Sequence, residues 1–212
     1  MKTSSILCIV LAAALGIVTW LYCKGSSATA TADTDSTATV NEAYDCIMTR
    51  ASCRKFTDSL VSEAAIDSLL HAAMASPSAR DQRPWQFVVI TDRETLDTIA
   101  SRCCNIKMAA QAPMAIAVCS DREIAPEKPG EEFWVQDVSA VSENILLAAH
   151  SMGLGAVWCG IYPVNERVKL ISELLELPAN VVPLSIIPVG YPAAPLTPKD
   201  KFDRARIHYN TF

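Results

Sequence analysis

Hydrophobic positions along the chain recur with two periods, and these separate helices from strands. Ile66, Leu69, Leu70, Ala73 and Met74 follow helical spacing behind Ser62, a capping residue, and Pro77 stops the pattern. Asn41 caps a short helix through Thr49, and Asp92 caps one that turns Leu96, Ile99 and Ala100 inward. Phe133–Met152 predicts a long helix with Val138, Val141, Ile145, Leu146 and Ala149 on its apolar side, closed by Gly153 in a left-handed conformation. Asn165 is expected to cap a last helix with Val168, Ile171, Leu174 and Leu175 inward. Trp85–Thr91, Pro113–Cys119 and Val182–Val189 have the β-branched and aromatic content of buried strands. Pro183 and Pro188 mark the last of these as an edge strand or one with an irregular entry. Helices alternating with at least four apolar strands imply three layers, α/β/α, around a mixed sheet.

The pattern fails at the N-terminus. Ile6 to Tyr22 is apolar without a charge, and residues 24–40 are a Ser/Thr/Ala/Asp tract. Residues 1–23 are therefore expected to be a signal peptide or membrane anchor, residues 24–40 a flexible linker, and 41–212 the folded domain. Small-residue cleavage sites at 28–32, lipidation of Cys23 and retention as an anchor all stay open, and each places the domain outside the cytoplasm, periplasmic or membrane-anchored. The long charged stretch from Asp121 to Glu132, with Pro126, Pro129 and Gly130, is expected to be a loop that covers a site or merely connects.

The chain has 212 residues, a net charge of -5 and no basic tract, which argues against a nucleic-acid partner. Eight cysteines show no C-x-x-C pair, and the three histidines do not flank them at zinc-like spacing, so no metal site is expected. Cys119 and Cys159 lie in apolar runs where a thiol behaves as a small hydrophobe. A Cys46–Cys53 disulfide stays possible in an exported chain. His71, at the edge of an apolar stripe, reads as structural or exposed.

With little net positive charge, local basic residues draw attention. Arg50 and Arg54 lie four apart with Ser52 between them, a set of donors suited to a phosphate, although a solvated basic face explains the spacing equally. Pro77-Ser78-Ala79-Arg80-Asp81 suits a rigid loop presenting backbone and hydroxyl groups to a polar ring. The glycines of Gly153–Pro163 are weak evidence by themselves, since a helix cap explains Gly153 and a strand start Gly155, which leaves Gly160 as the informative one.

Arg50-Ala51-Ser52-Cys53-Arg54-Lys55-Phe56, with Pro77-Ser78-Ala79, Pro84-Trp85 and the Gly153–Gly160 run, resembles the FMN-dependent nitroreductase family, whose motifs read roughly R-[RH]-S-x-[RK]-x-F, P-S-x-x-N-x-Q-P-W and G-L-G-x-x-W-[IL]-G. The likeness extends from about Asn41 to the C-terminus. It departs at Ala51, where a second basic residue is usual, at Asp81 in place of Asn, and at Gln82-Arg83. The resemblance implies an α+β homodimer with FMN at each of two subunit interfaces and the matching long helix at the dimer centre. It also implies an NAD(P)H-dependent oxidoreductase that reduces nitroaromatic, quinone or similar small electron-poor acceptors by a ping-pong mechanism. It assigns Arg50, Ala51 and Ser52 to the phosphate region, and Arg54 to the flavin's N1/C2=O edge. Pro77, Ser78, Ala79 and Asp81 go to the ring or ribityl chain, and Cys159 and Gly160 to main-chain contact near N5. By position the tail residues Lys199 and Lys201, and Arg206 after them, join the phosphate site. Gln136, Asp137 and Asn144 on the long helix read as surface or as interhelical hydrogen bonds. No protein acid or base is required, since the flavin carries the chemistry. A non-catalytic FMN carrier, a flavin-free tethered binding domain and a flavin dehalogenase remain as alternatives.

Overall fold

The computed structural model describes residues 41–128 and 131–212. The expected export segment and linker fall outside them. Among the described residues no helix is long and apolar enough to cross a membrane.

Three expected caps form. Asn41, Ser62 and Asp92 each accept a bond from the backbone N–H three residues on, opening helices α1 (Glu42–Thr49), α2 (Glu63–Met74) and α3 (Arg93–Arg102). Strand β1 (Trp85–Ile90) precedes α3 and β2 (Met114–Asp121) follows it. Helix α4 (Phe133–Ser151) has no cap from its own flanking residue. Glu127, in the loop before it, accepts the Trp134 N–H at 2.7 Å and holds Arg122 at 2.8 Å, so this loop closes the helix's N-terminal end. Gly153, at φ +73°, ends α4, with the Leu154 N–H returning to the Ala149 carbonyl. Two short strands, β3 (Gly155–Ala156) and β4 (Cys159–Gly160), lead to α5 (Asn165–Leu174) and β5 (Val181–Gly190). Asn165 is the first helical residue of α5, not its cap; Val164 occupies that position without a side-chain bond.

The sheet runs β1-β2-β5-β3, with β4 also on β5. All of these pairings are antiparallel, which corrects the expectation of a mixed sheet. Alternate residues of β2 enter two different cores: Met114, Ile116 and Val118 pack under α2 and α4, while Ala115, Ala117 and Cys119 pack with α3 and α5. The three-layer arrangement follows from that alternation. An antiparallel strand covered on both faces is apolar throughout, which explains why β2 lacks polar alternation.

β5 lies inside the sheet rather than at its edge. Its prolines fall where the ladder can do without a donor. Pro183 is opposite Cys119, next to a register shift, and Pro188 faces the break between β3 and β4, where its carbonyl accepts the Val157 N–H at 3.3 Å. The Cys46–Cys53 disulfide does not form: both thiols are free, donating to the Leu147 and Lys55 carbonyls respectively. His71 is exposed.

Candidate functional site

After α1 the chain crosses the end of the sheet as a main-chain strap. The Cys53 N–H donates to the Ala156 carbonyl, the Thr57 N–H to that of Tyr191, and the Ala193 N–H to that of Lys55, at 2.9, 2.9 and 3.0 Å. Cys53 and Phe56 turn inward and are buried; Ser52, Arg54 and Lys55 are left exposed. The RASCRKF run therefore presents its polar members because its apolar ones are fixed beneath.

Arg50 turns toward α4. Its Nε lies 3.1 Å from Glu143 Oε1 with only 18% of the side chain exposed, yet without the alignment of a hydrogen bond. A groove of about 620 Å³ opens there, lined by Tyr44, Arg50, Glu143, Lys199, Lys201 and Phe202 among others. Three cations separated by some 150 positions thus meet in one place, against the carboxylates of Glu143 and Asp200. That charge balance, with a half-engaged buried guanidinium, fits a phosphate group. Arg206 is not among them: it is exposed and paired with Asp203 at 3.0 Å.

Arg54 belongs to a second feature. Burial pushes the Cys159 thiol up to about 11, and the Arg54 charge opposes that shift; Arg54 is exposed on the strap that Cys53 bonds to Ala156 in β3. The Cys159 side chain itself faces the core, 3.7 Å from Met108 Sδ, so what β4 offers a ligand is main chain. At Gly160 an added Cβ would meet nothing within 4 Å, while the Gly160 carbonyl is held by Asn105 Nδ2 at 3.0 Å and Arg167 Nη1 at 3.2 Å. Open space beside a fixed stretch of backbone suits the face of a planar ring.

The Pro77–Asp81 turn is a third feature, in a separate depression lined by Pro77, Ser78, Ala79, Phe133, Gln136, Asp137 and Ala140. Arg80, Asp81 and Arg83 are all left-handed, at φ 55°, 55° and 53°. Besides the backbone bonds from the Asp81 and Gln82 N–H groups to the Ser78 and Ala79 carbonyls, three side-chain contacts hold this uncommon backbone. The Ala79 N–H donates to Asp137 Oδ1 at 2.8 Å, the Arg83 N–H to Ser78 Oγ at 3.0 Å, and the Arg83 guanidinium pairs with Asp81. Ser78 is thus already accepting within the turn. The Arg83 hydrogen bond holds the Asp81 carboxyl below its usual range, and both side chains are largely exposed.

Sequence reasoning passed over Asn105 and Arg167, which carry no local signal, and Glu143. The sequence reads Asp137 only as helix surface or an interhelical hydrogen bond; it falls instead on the apolar stripe of Trp134, Val138 and Val141, is buried, and accepts from the Pro77–Asp81 turn.

Known proteins resemble the chain from the RASCRKF run to the end of β5. The profile of the nitroreductase family matches residues 47–106 and 101–191. A protein of Methanothermobacter thermautotrophicus, provisionally named an NADH dehydrogenase/NAD(P)H nitroreductase, is 50% identical over 168 residues, 79% of this chain and 86% of its own. The oxygen-insensitive NADPH nitroreductase of Salmonella typhimurium is 30% identical over 67% of this chain and 62% of its own. The solved structure of an FMN-dependent nitroreductase from Clostridium difficile superposes with a TM-score of 0.71 at 30% identity, covering 79% of this chain and 98% of that one. Fold, motif order and extent of identity agree, and the chain belongs to the nitroreductase family.

Proposed function

We propose that this protein is an FMN-dependent oxidoreductase that oxidises NAD(P)H and reduces nitroaromatic, quinone or similar electron-poor acceptors, taking the two substrates in turn. The observation that carries the reading is the convergence of Arg50, Lys199 and Lys201 on one groove. The chemistry that FMN supplies when bound is hydride exchange between the nicotinamide and the acceptor. The chain's own residues bind and orient. Arg50 and the two lysines hold the phosphate, with Ser52 beside them. Gly160 leaves room for the ring, and Arg54 sets a positive charge near the edge where reduction deposits negative charge. Pro77, Ser78 and Ala79 cover the ring or ribityl chain.

The working unit of this proposal is a homodimer. Within one chain the phosphate groove and the Pro77 turn are separate depressions flanking the same helix, α4. Helix α1 buries none of its residues and leaves Tyr44, Ile47 and Met48 about half exposed, and the tail exposes Phe202, Tyr209 and Phe212. A second copy would cover these surfaces and bring the two halves of the site together. Export, with residues 6–22 as signal or tether, completes the proposal. The purified protein is expected to be yellow, with flavin bands that bleach on anaerobic addition of NADH or NADPH; a colourless protein that ignores added FMN overturns it.

A further inference from the structure

Asp137 is a carboxylate in a place where sequence pattern expects a hydrophobe. It is 6% exposed, within the first turns of α4, flanked by buried Trp134 and Val138. Burial raises its pKa above the usual carboxylate range, the Ala79 N–H pulls it back, and Glu127 nearby adds to the rise. A buried carboxylate of this kind is unfavourable unless its bonds are needed. Among the described residues the one protein donor to it is Ala79 N–H, on the turn whose next residues, Arg80 and Asp81, are left-handed without being glycine. The other hydrogen bonds of the turn, Arg83 to Ser78, Arg83 to Asp81 and the backbone bonds of Asp81 and Gln82, are internal to it, and its exposed Arg80 only reaches Glu131 at 4.0 Å. Among the described residues Asp137 alone ties Ala79 to the body of the fold through a side chain, and it lines the depression that Pro77, Ser78 and Ala79 form.

We propose that Asp137 is a positioning residue: by accepting the Ala79 N–H it fixes where Pro77, Ser78 and Ala79 meet the bound flavin. The inference rests on the FMN reading for its consequence, but the anchoring itself does not. Removing the acceptor frees the turn while leaving the phosphate groove, which other residues build, in place. Asparagine keeps an oxygen for the Ala79 N–H and loses only the charge; alanine loses the bond.

The experiment compares wild type, Asp137→Asn and Asp137→Ala by amide hydrogen exchange, by FMN titration of the apoprotein and by visible circular dichroism of the loaded protein. Asn144→Ala, which removes a different α4 bond, to the Ala72 carbonyl, serves as a control for general loosening of the helix packing. Expected is at least tenfold faster exchange at residues 79–83 in the alanine variant, a tenfold or greater rise in FMN Kd, an altered flavin dichroism band, and recovery of most of each change by asparagine. If the alanine variant does not fold, Asp137→Glu carries the test: it keeps the charge but displaces the oxygen, and is expected to alter the dichroism band. Unchanged exchange and an unchanged band in a folded variant overturn the inference. A wild type that does not bind FMN overturns the flavin reading instead, and the exchange rates still decide whether Asp137 anchors the turn.

Discussion

The side chain of Cys53 occupies the space that a Cβ on Gly155 would take: Cys53 Cβ and Sγ would lie 2.5 and 2.6 Å from it. This contact is what lets the strap of residues 53–57 lie flat on the sheet, with the Cys53 N–H bonded to Ala156. The glycine therefore serves packing rather than a ligand. Gly155→Ala must push the strap away, and overpacking of this kind costs roughly 1–3 kcal/mol. Urea unfolding should show that loss, and the displaced Arg50 and Arg54 should weaken FMN binding along with it. Gly160→Ala, with open space at its Cβ, should leave stability nearly unchanged while weakening FMN, which separates the two glycines.

Arg54 is exposed, so its effect on a bound ligand is electrostatic and screened. A single cation near the reduced flavin's negative edge is worth on the order of 1 kcal/mol under such conditions. For a two-electron couple that corresponds to roughly 20 mV. Arg54→Ala should thus lower the midpoint potential of the bound flavin by about that amount, measured by dye equilibration, and raising the salt concentration should shrink the difference. An identical potential in both proteins removes Arg54 from the flavin's edge.

Much of the fold was legible because it is written in local periodicity. The stripe of α2, the caps at Asn41, Ser62 and Asp92, and the closing Gly153 depend on residues within one or two turns of each other. The position of β5 was not. Two prolines argued for an edge or an irregular entry; the structure has the irregularity, since a strand with neighbours on both sides can tolerate a missing donor where the partner strand bulges or breaks, and those breaks lie some 30 to 70 residues away. At the site, the Arg50 motif and the position of Lys199 and Lys201 in the tail put these three on one short list, and all three line one groove. Arg206 was drawn in by proximity in sequence, yet Asp203, three residues earlier, claims it. Asp81 was expected at the ring or ribityl chain, and the structure adds a neighbour the motif did not suggest, an exposed pair with Arg83.

Two thiols tie stability to alkaline pH. Burial pushes Cys119 up to about 12 and Cys159 up to about 11 from an ordinary value of 9.0. In the unfolded chain both ionise near the ordinary value, so between there and the raised values the unfolded state holds fewer protons and stability falls as pH rises, by at most about 1.4 kcal/mol per pH unit for each thiol. Stability contributed in this way is complete below about pH 8. Urea midpoints measured from pH 7 to 10.5 should therefore be flat and then decline, and Cys119→Ala should flatten the decline while lowering the plateau through the lost packing. At pH 8 a thiol reagent should modify the exposed Cys104 long before either of these.

The proposed dimer can be tested separately from the cofactor. Ile47 on α1 is 56% exposed and Phe202 in the tail 70% exposed, and both line the wall of the groove that holds Arg50, Lys199 and Lys201. Apolar side chains beside a charged groove are what an interface buries when it closes a ligand site. In a dimer, Ile47→Glu together with Phe202→Ser puts an unpaired charge where a second copy would pack, which should convert a mass near 46 kDa to the single-chain 22.9 kDa in light scattering if the export segment is retained. Neither residue contributes to the described cores, so the monomer should stay folded by far-UV circular dichroism. FMN affinity should drop by tenfold or more, both because the Pro77 turn of the second copy no longer reaches the phosphate groove and because a carboxylate at position 47 repels the phosphate. A folded monomer that binds FMN as tightly as the parent protein would show instead that one chain builds the whole site.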